Sequence, residues 1–145
     1  MLVEALQAYI TGNAGMVSLL GSPTTRPDSA NGVWPTQAPD EPTMPYMVFQ
    51  QISQDPESET LEGTGPLMSA RWRFSCYGST YKQAKKLANK RRPLLLAMRG
   101  TQGSANIDVE NASLKMEADD SESIGKGTLF GTHVDVEFCY QDYDA

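Results

Sequence analysis

The sequence predicts an α+β fold, a mostly antiparallel sheet of four to five strands with two main helices packed on one face. Three stretches carry that expectation. In Leu67–Tyr77, Met68, Ala70, Trp72, Phe74 and Cys76 alternate with Leu67, Ser69, Arg71, Arg73, Ser75 and Tyr77, the period of two of a half-buried strand. Beyond Gly78, Tyr81, Ala84, Leu87, Ala88 and Arg91 recur at helical spacing, with Lys82, Lys85, Lys86 and Lys90 beside or opposite them and Ser79 or Thr80 placed to cap. Near the end, Thr128, Phe130, Thr132, Val134, Val136, Phe138 and Tyr140 share one parity, and Leu129, Gly131, His133, Asp135, Glu137 and Cys139 the other. A sheet with one apolar face, together with amphipathic helices, is satisfied by packing the helices on that face.

Taken in order, Val3–Ile10 reads as a short amphipathic helix, interrupted at Thr11-Gly12-Asn13, with one further turn at Met16–Leu20 before Gly21-Ser22-Pro23. The stretch 23–45 is read as a long loop, since prolines stand at 23, 27, 35, 39, 42 and 45, with Trp34 as an anchor on the body or an aromatic contact for a partner. Tyr46–Ser53 reads as a strand entered through Pro45. The acidic, glycine-containing stretch 54–66 is read as a second long loop joining two antiparallel neighbours. Pro93 predicts a kink or end of the basic helix near Arg92, a turn resumed over Leu94–Met98 being the alternative, and Arg99–Gly103 reads as a turn-rich link. Ile107–Met116 supplies two short strands or one bulged strand, Ala118–Gly127 an acidic loop, and Gln141–Ala145 a frayed end.

At 145 residues, 39% hydrophobic and 21% charged, residues 1–145 are expected to form a single domain with a core that needs no metal or disulfide. No run approaches the roughly 20 apolar residues of a membrane span. Met1–Ile10 reads as a helix start rather than a secretory signal. Cys76 and Cys139 lie far apart in strand-like segments and are read as two free buried thiols, a cross-strand disulfide being the alternative. The formal net charge is −6, yet Lys82, Lys85, Lys86, Lys90, Arg91 and Arg92 gather on one helix while acids cluster in 40–62, 108–122 and 135–144. Opposite patches of that kind suit contacts between copies, and a solvated helix face is the plain alternative.

Little in the chain points to catalysis. His133, Asp135 and Glu137 share a strand face and are the nearest approach to a metal or acid–base cluster, but such residues also decorate ordinary exposed strands. Cys76 shares its face with Trp72 and Phe74, where burial raises a thiol's pKa instead of activating it. Gly125-Lys126-Gly127-Thr128 lacks both the glycine spacing and the following helix of a phosphate loop. The basic helix, extended by Arg71 and Arg73, would suit phosphates, but the acidic balance and the lack of a recognisable nucleic-acid module weigh against it. No catalytic residue, no metal ligand, no cofactor and no enzymatic activity are expected.

As an ordered set, Leu2-Val3-Glu4-Ala5-Leu6, Tyr46-Met47-Val48-Phe49, Trp72-Arg73-Phe74-Ser75-Cys76-Tyr77, Thr80-Tyr81-Lys82-Gln83-Ala84, Leu87-Ala88 and the alternating Phe130–Tyr140 strand resemble the tail-completion, or tail-terminator, proteins of long-tailed bacteriophages. These regions cover about two thirds of the chain, and the proline-rich 23–45 segment is longer than usual for that family. The resemblance implies a non-enzymatic virion protein at the head–tail interface, assembled in the host cytoplasm. It would form a ring, usually a hexamer, that caps the tail tube, stops its polymerisation and offers a surface to the head connector or stopper protein. Genomic DNA would pass through the ring without sequence-specific binding, and no membrane is involved. Under that reading, the candidate contacts between copies or with partners are Arg71, Arg73, Lys82, Lys86, Lys90, Arg92 and Trp34, and the opening is expected to be neutral or acidic with the basic helix turned away from it. The alternatives are another head–tail adaptor or stopper, and a small nucleic-acid-binding protein.

Overall fold

The computed structural model describes residues 2–21, 32–38, 42–58, 67–102, 107–124 and 127–142. Its elements are α1 (Leu2–Thr11), α2 (Ala14–Leu20), β1 (Val33–Pro35), β2 (Tyr46–Ser58), β3 (Leu67–Gly78), α3 (Tyr81–Leu96), β4 (Gly100–Gln102), β5 (Ile107–Ile124) and β6 (Gly127–Asp142). The strands form one six-stranded sheet in the order β1-β2-β3-β6-β5-β4. Every neighbouring pair is antiparallel except β1 and β2, which run parallel.

The alternation in 67–77 is realised in β3, whose Ala70, Trp72, Phe74 and Cys76 are buried while Arg71, Arg73 and Tyr77 on the other face are half-exposed. β6 buries Thr132, Val134, Val136, Phe138 and Tyr140 on the same side. Phe49 of β2 stacks on Phe74 at 5.9 Å, and Phe74 meets Phe138 edge-on at 6.1 Å, so rings from three adjacent strands form the centre of the core. Leu2, Leu6 and Ile10 of α1, Met16 and Leu20 of α2, and Leu87, Ala88 and Leu95 of α3 belong to the same hydrophobic cluster. The helices therefore share one face of the sheet, and among the described residues none covers the other. Tyr9 Oη donates to the Leu94 carbonyl at 2.7 Å and ties α1 to α3.

The turn from β3 into α3 is tight for a local reason. A Cβ at Gly78 would stand 2.8 Å from the Ala84 backbone nitrogen, a distance that side-chain-bearing residues do not reach. Thr80 then caps the helix by accepting from Gln83 N at 3.1 Å, and Gln83 Oε1 reaches back to Ser79 N at 2.9 Å. Arg91, placed on the apolar stripe by its spacing, is fully buried. Its Nη1 donates to the carbonyls of Phe74 (2.6 Å) and Thr132 (2.9 Å) and to Cys76 Sγ (3.2 Å), joining α3 to the two central strands. Its Nε and Nη2 meet no partner among the described residues.

Several expectations need correction. The sheet has six strands instead of four to five and is mixed, and the helices number three, because the turn after Asn13 is a separate helix capped by the Asn13 side chain on Met16 N. The 23–45 loop contains β1, where the hydrogen bond from Met47 N to Gly32 O starts a parallel pairing with β2. β2 continues past Ser53 to Ser58 through a bulge next to Gln51, so the 54–66 loop begins later, and residues 59–66 lie outside the described ones. The supposed link after Arg99 holds β4, and the acidic 118–127 stretch is the second half of β5 as far as Ile124, paired with β6. There, cross-strand pairing overrides a composition without alternation. α3 does not end at Arg92 but runs through Pro93 to Leu96, the resumed turn that the sequence left open, with Pro93 exposed and Leu95 buried. Gln141 and Asp142 extend β6, whereas the rest of the expected frayed end, and Gly125 and Lys126, lie outside the described residues. Cys76 and Cys139 do not form a disulfide with each other, and Cys76 is buried and Cys139 half-buried.

Arg91→Met keeps most of the packing of the stem and removes a buried charge, so its unfolding free energy is expected to stay within about 1.5 kcal/mol of wild type. Arg91→Ala also leaves a cavity and is expected to lose about 3 kcal/mol or more. Urea unfolding of the two variants checks the order.

Candidate functional site

The open face of the sheet is built by the polar parity of β3 and β6. Arg71 and Arg73 extend over this face toward the residue paired with Arg73, Asp135 of β6. Arg73 forks onto the carboxylate, Nε to Oδ1 at 2.8 Å and Nη2 to Oδ2 at 3.2 Å, and Arg71 adds Nε and Nη2 to Oδ2 at 3.0 and 2.8 Å. The Asp135 side chain is fully covered, while each arginine keeps about a third of its side-chain surface exposed. Burial pushes the Asp135 carboxyl up, but hydrogen bonds from Arg73 and Arg71 and their charges outweigh it and hold the group below its usual range.

Beside this triad an aromatic row crosses four strands. Trp34 of β1 meets Tyr46 of β2 edge-on at 6.0 Å, Tyr46 stacks on Tyr77 of β3 at 5.0 Å, and Tyr77 meets His133 of β6 edge-on at 5.8 Å. Trp34 is thus half-buried against its neighbour instead of standing free. His133 continues the row to β5: Nε2 lies 2.9 Å from Asp120 Oδ2 and Nδ1 lies 2.7 Å from Ser75 Oγ. Because a carboxylate only accepts, Nε2 is the nitrogen that donates to Asp120. These groups line a cleft of about 270 Å³ with Gln50, Arg73, Tyr77 and Met116.

A serine, a histidine and an aspartate in a row invite comparison with a hydrolytic relay. β3 and β6 are internal strands, however, so their own backbone N–H groups are spent in the ladders and do not supply the donor pair of such a relay. The row links strands. His133, Asp135 and Glu137 are not brought together: Asp135 serves the arginines, and Glu137 has Lys115 at 4.0 Å. Among the described residues no group of three histidine, cysteine or acidic side chains is placed to hold a metal. Burial pushes the Cys76 thiol up, with Arg91 pulling the other way.

On the helix side, α3 divides its cations. Lys85 Nζ lies 2.9 Å from Asp119 Oδ2, Arg92 pairs with Glu117, and Tyr81 Oη donates to Asp119 at 3.1 Å, so one flank is tied to β5. Lys82 and Lys86 are exposed on the outer surface of the helix, and no ion pair with another described residue engages them. Lys90, also exposed, lies across α2: a Cβ at Gly15 would stand 2.2 Å from Lys90 Cε. The structure therefore separates the seven sequence candidates into those held within the chain (Arg71, Arg73, Arg92 and Trp34) and an exposed lysine row. Missed by sequence reasoning were Asp135 as the covered centre of a triad and the His133–Ser75–Asp120 row. Their partners stand 62 and 64, and 58 and 13, residues away, and only a known strand register reveals them.

No protein-family model and no curated protein matches this chain. Among solved structures it is similar to a chain described as "Virion of native gene transfer agent (GTA) particle", with 12% identity, a TM-score of 0.62, and coverage of 94% of this chain and 91% of that one. At that identity the likeness establishes a shared fold.

The lowered pKa of Asp135 fixes the sign of an acid effect. Its stabilising contribution is complete above the unfolded aspartate value of about 3.9 and is lost as the pH falls through the lower folded value. Wild-type stability is therefore expected to fall below about pH 4, and in Asp135→Asn that limb should flatten. At pH 7 the variant should lose about 1–3 kcal/mol, limited because both arginines reach solvent. Thermal unfolding from pH 2 to pH 7 measures both.

Proposed function

We propose that this chain is a structural virion protein of the tail-terminator type, forming a ring that caps the end of a tail tube, stops tube growth and receives the head connector or stopper. The observation that carries the proposal is the fold shared, over nearly the whole of both chains, with a chain of a virion particle. The ordered motifs that resemble tail-completion proteins give the finer assignment. The hexameric count and the position at the head–tail joint come from that resemblance.

The distribution of charge supports the same reading. Asp120, Glu122, Asp135 and Glu137 share the open sheet face with Arg71, Arg73 and Lys115, which leaves that face with a small excess of negative charge. A passage lined by it would repel the phosphate backbone and let DNA slide, whereas a basic lining would grip it. The exposed lysines lie on α3, on the opposite side of the sheet, where they would meet an acidic partner. A head–tail adaptor or stopper would use the same surfaces in another layer, and the binding partner separates the two.

The test is negative-stain imaging of the purified protein with isolated tail tubes and with filled heads. The expected result is a ring on one end of each tube. Binding only to heads would indicate an adaptor or stopper, and binding to neither would sink the proposal. The triple variant Lys82→Glu, Lys86→Glu, Lys90→Glu should unfold within about 0.5 kcal/mol of wild type per substitution, since the positions are exposed. Its attachment to partners should weaken, and at low salt more visibly than at high salt. Loss of DNA retention with intact capping would instead mark the row as a nucleic-acid contact.

A further inference from the structure

The sheet is left open at opposite ends of its two sides. On one side β1 covers only Met47–Phe49 of β2, so from Gln50 onward β2 has no outer neighbour among the described residues. On the other, β4 covers only Ile107–Val109 of β5, so Glu110–Ile124 is open in the same way. Each stretch presents a row of unsatisfied N–H and C=O groups, which templates the addition of another strand. β5 has no proline, and of the protections usual at such an edge it carries acidic side chains, chiefly from Glu117 onward, and bulges after Val109 and Leu114.

The two edges are complementary. β2, β3, β6 and β5 alternate in direction, so β5 runs opposite to β2. If the sheet continues from β5 of one copy onto β2 of the next without inversion, the new pair is antiparallel. Donors then meet acceptors along both rows. The short strands set the limits of the seam. β1 stands at the height of Glu117–Asp119 and β4 at that of Pro56–Ser58, so the rows open on both edges at equal height are Gln50–Asp55 of β2 and Glu110–Met116 of β5.

Side chains point to the same seam. Ile52 (43% exposed) and Leu114 (41% exposed) are large hydrophobic residues in solvent, one on each open edge. They also lie at the same height: Leu114 pairs with Val136, Val136 with Trp72 and Trp72 with Gln51, and Ile52 fills the bulge after Gln51.

We propose that copies of this chain join head to tail by antiparallel pairing of the β5 edge of one with the β2 edge of the next, Leu114 packing on the partner subunit's Ile52. The inference deepens the ring proposal and rests on it, by naming the surfaces that touch. The test is the double variant Ile52→Cys, Leu114→Cys in a Cys139→Ser background, which leaves only the buried Cys76 besides the new pair. Mild oxidation of concentrated full-length protein should give a ladder of covalent multimers on a non-reducing gel, and the single variants should give no ladder beyond dimers. Leu114→Arg should weaken self-association about tenfold or more while the unfolding midpoint of the monomer stays in place. Absence of a ladder in the double variant, or unaltered association of Leu114→Arg, overturns the pairing. If rings still cap tubes when that happens, the functional proposal survives and only the seam is wrong; if no rings form on tubes, both fall.

Discussion

The placement of α3 depends on the guanidinium of Arg91. A charge has been carried into the core without a carboxylate, and it is held by main-chain carbonyls from β3 and β6 and by a sulfur. Such a group tolerates little displacement, because moving it leaves strong donors buried and unpaired. The helix is thereby fixed in height and rotation on the sheet. With that register set, Lys85 and Arg92 fall onto Asp119 and Glu117, and Lys82 and Lys86 are turned to solvent. One core contact thus decides which cations are consumed inside the chain and which remain for a partner.

The opposite face solves a different problem. A sheet covered on one side must keep its other side soluble without leaving polar groups unmatched. Here the groups satisfy one another across strands: a carboxylate between two arginines, and a histidine between a hydroxyl and a second carboxylate. The aromatic row beside them adds stiffness at little conformational cost. The face is therefore pre-organised and mildly acidic, which suits a surface that something charged must pass without adhering. The unsatisfied groups are displaced to the strand edges, where another copy of the chain is able to meet them.

What the sequence made legible follows from which signals are local. Alternation in 67–77 and 128–140 exposed β3 and β6 because each has one dry face, and the helical spacing after Gly78 placed even the buried Arg91 on the correct stripe. β5 was only half legible, since from Leu114 to Ser123 nearly every residue is exposed and no apolar period marks the strand. β1 is three residues long and ends in proline, so its pairing with β2 leaves almost no trace in composition. The site was less legible still. Spacing along one strand suggested His133, Asp135 and Glu137 as a group, whereas the partners that matter lie across strands, at distances in sequence that only the register supplies. Arg71 and Arg73 looked like free surface cations for the same reason.

The two tryptophans sit in unlike surroundings. Trp72 is in the core, tilted against Phe49 at 5.8 Å, and Trp34 is half-buried on the parallel edge strand against Tyr46. Their indoles give the chain a built-in pair of optical reporters. An added collisional quencher would dim the outer one first, and a change confined to that component would register an event at the sheet margin while the interior emission held steady.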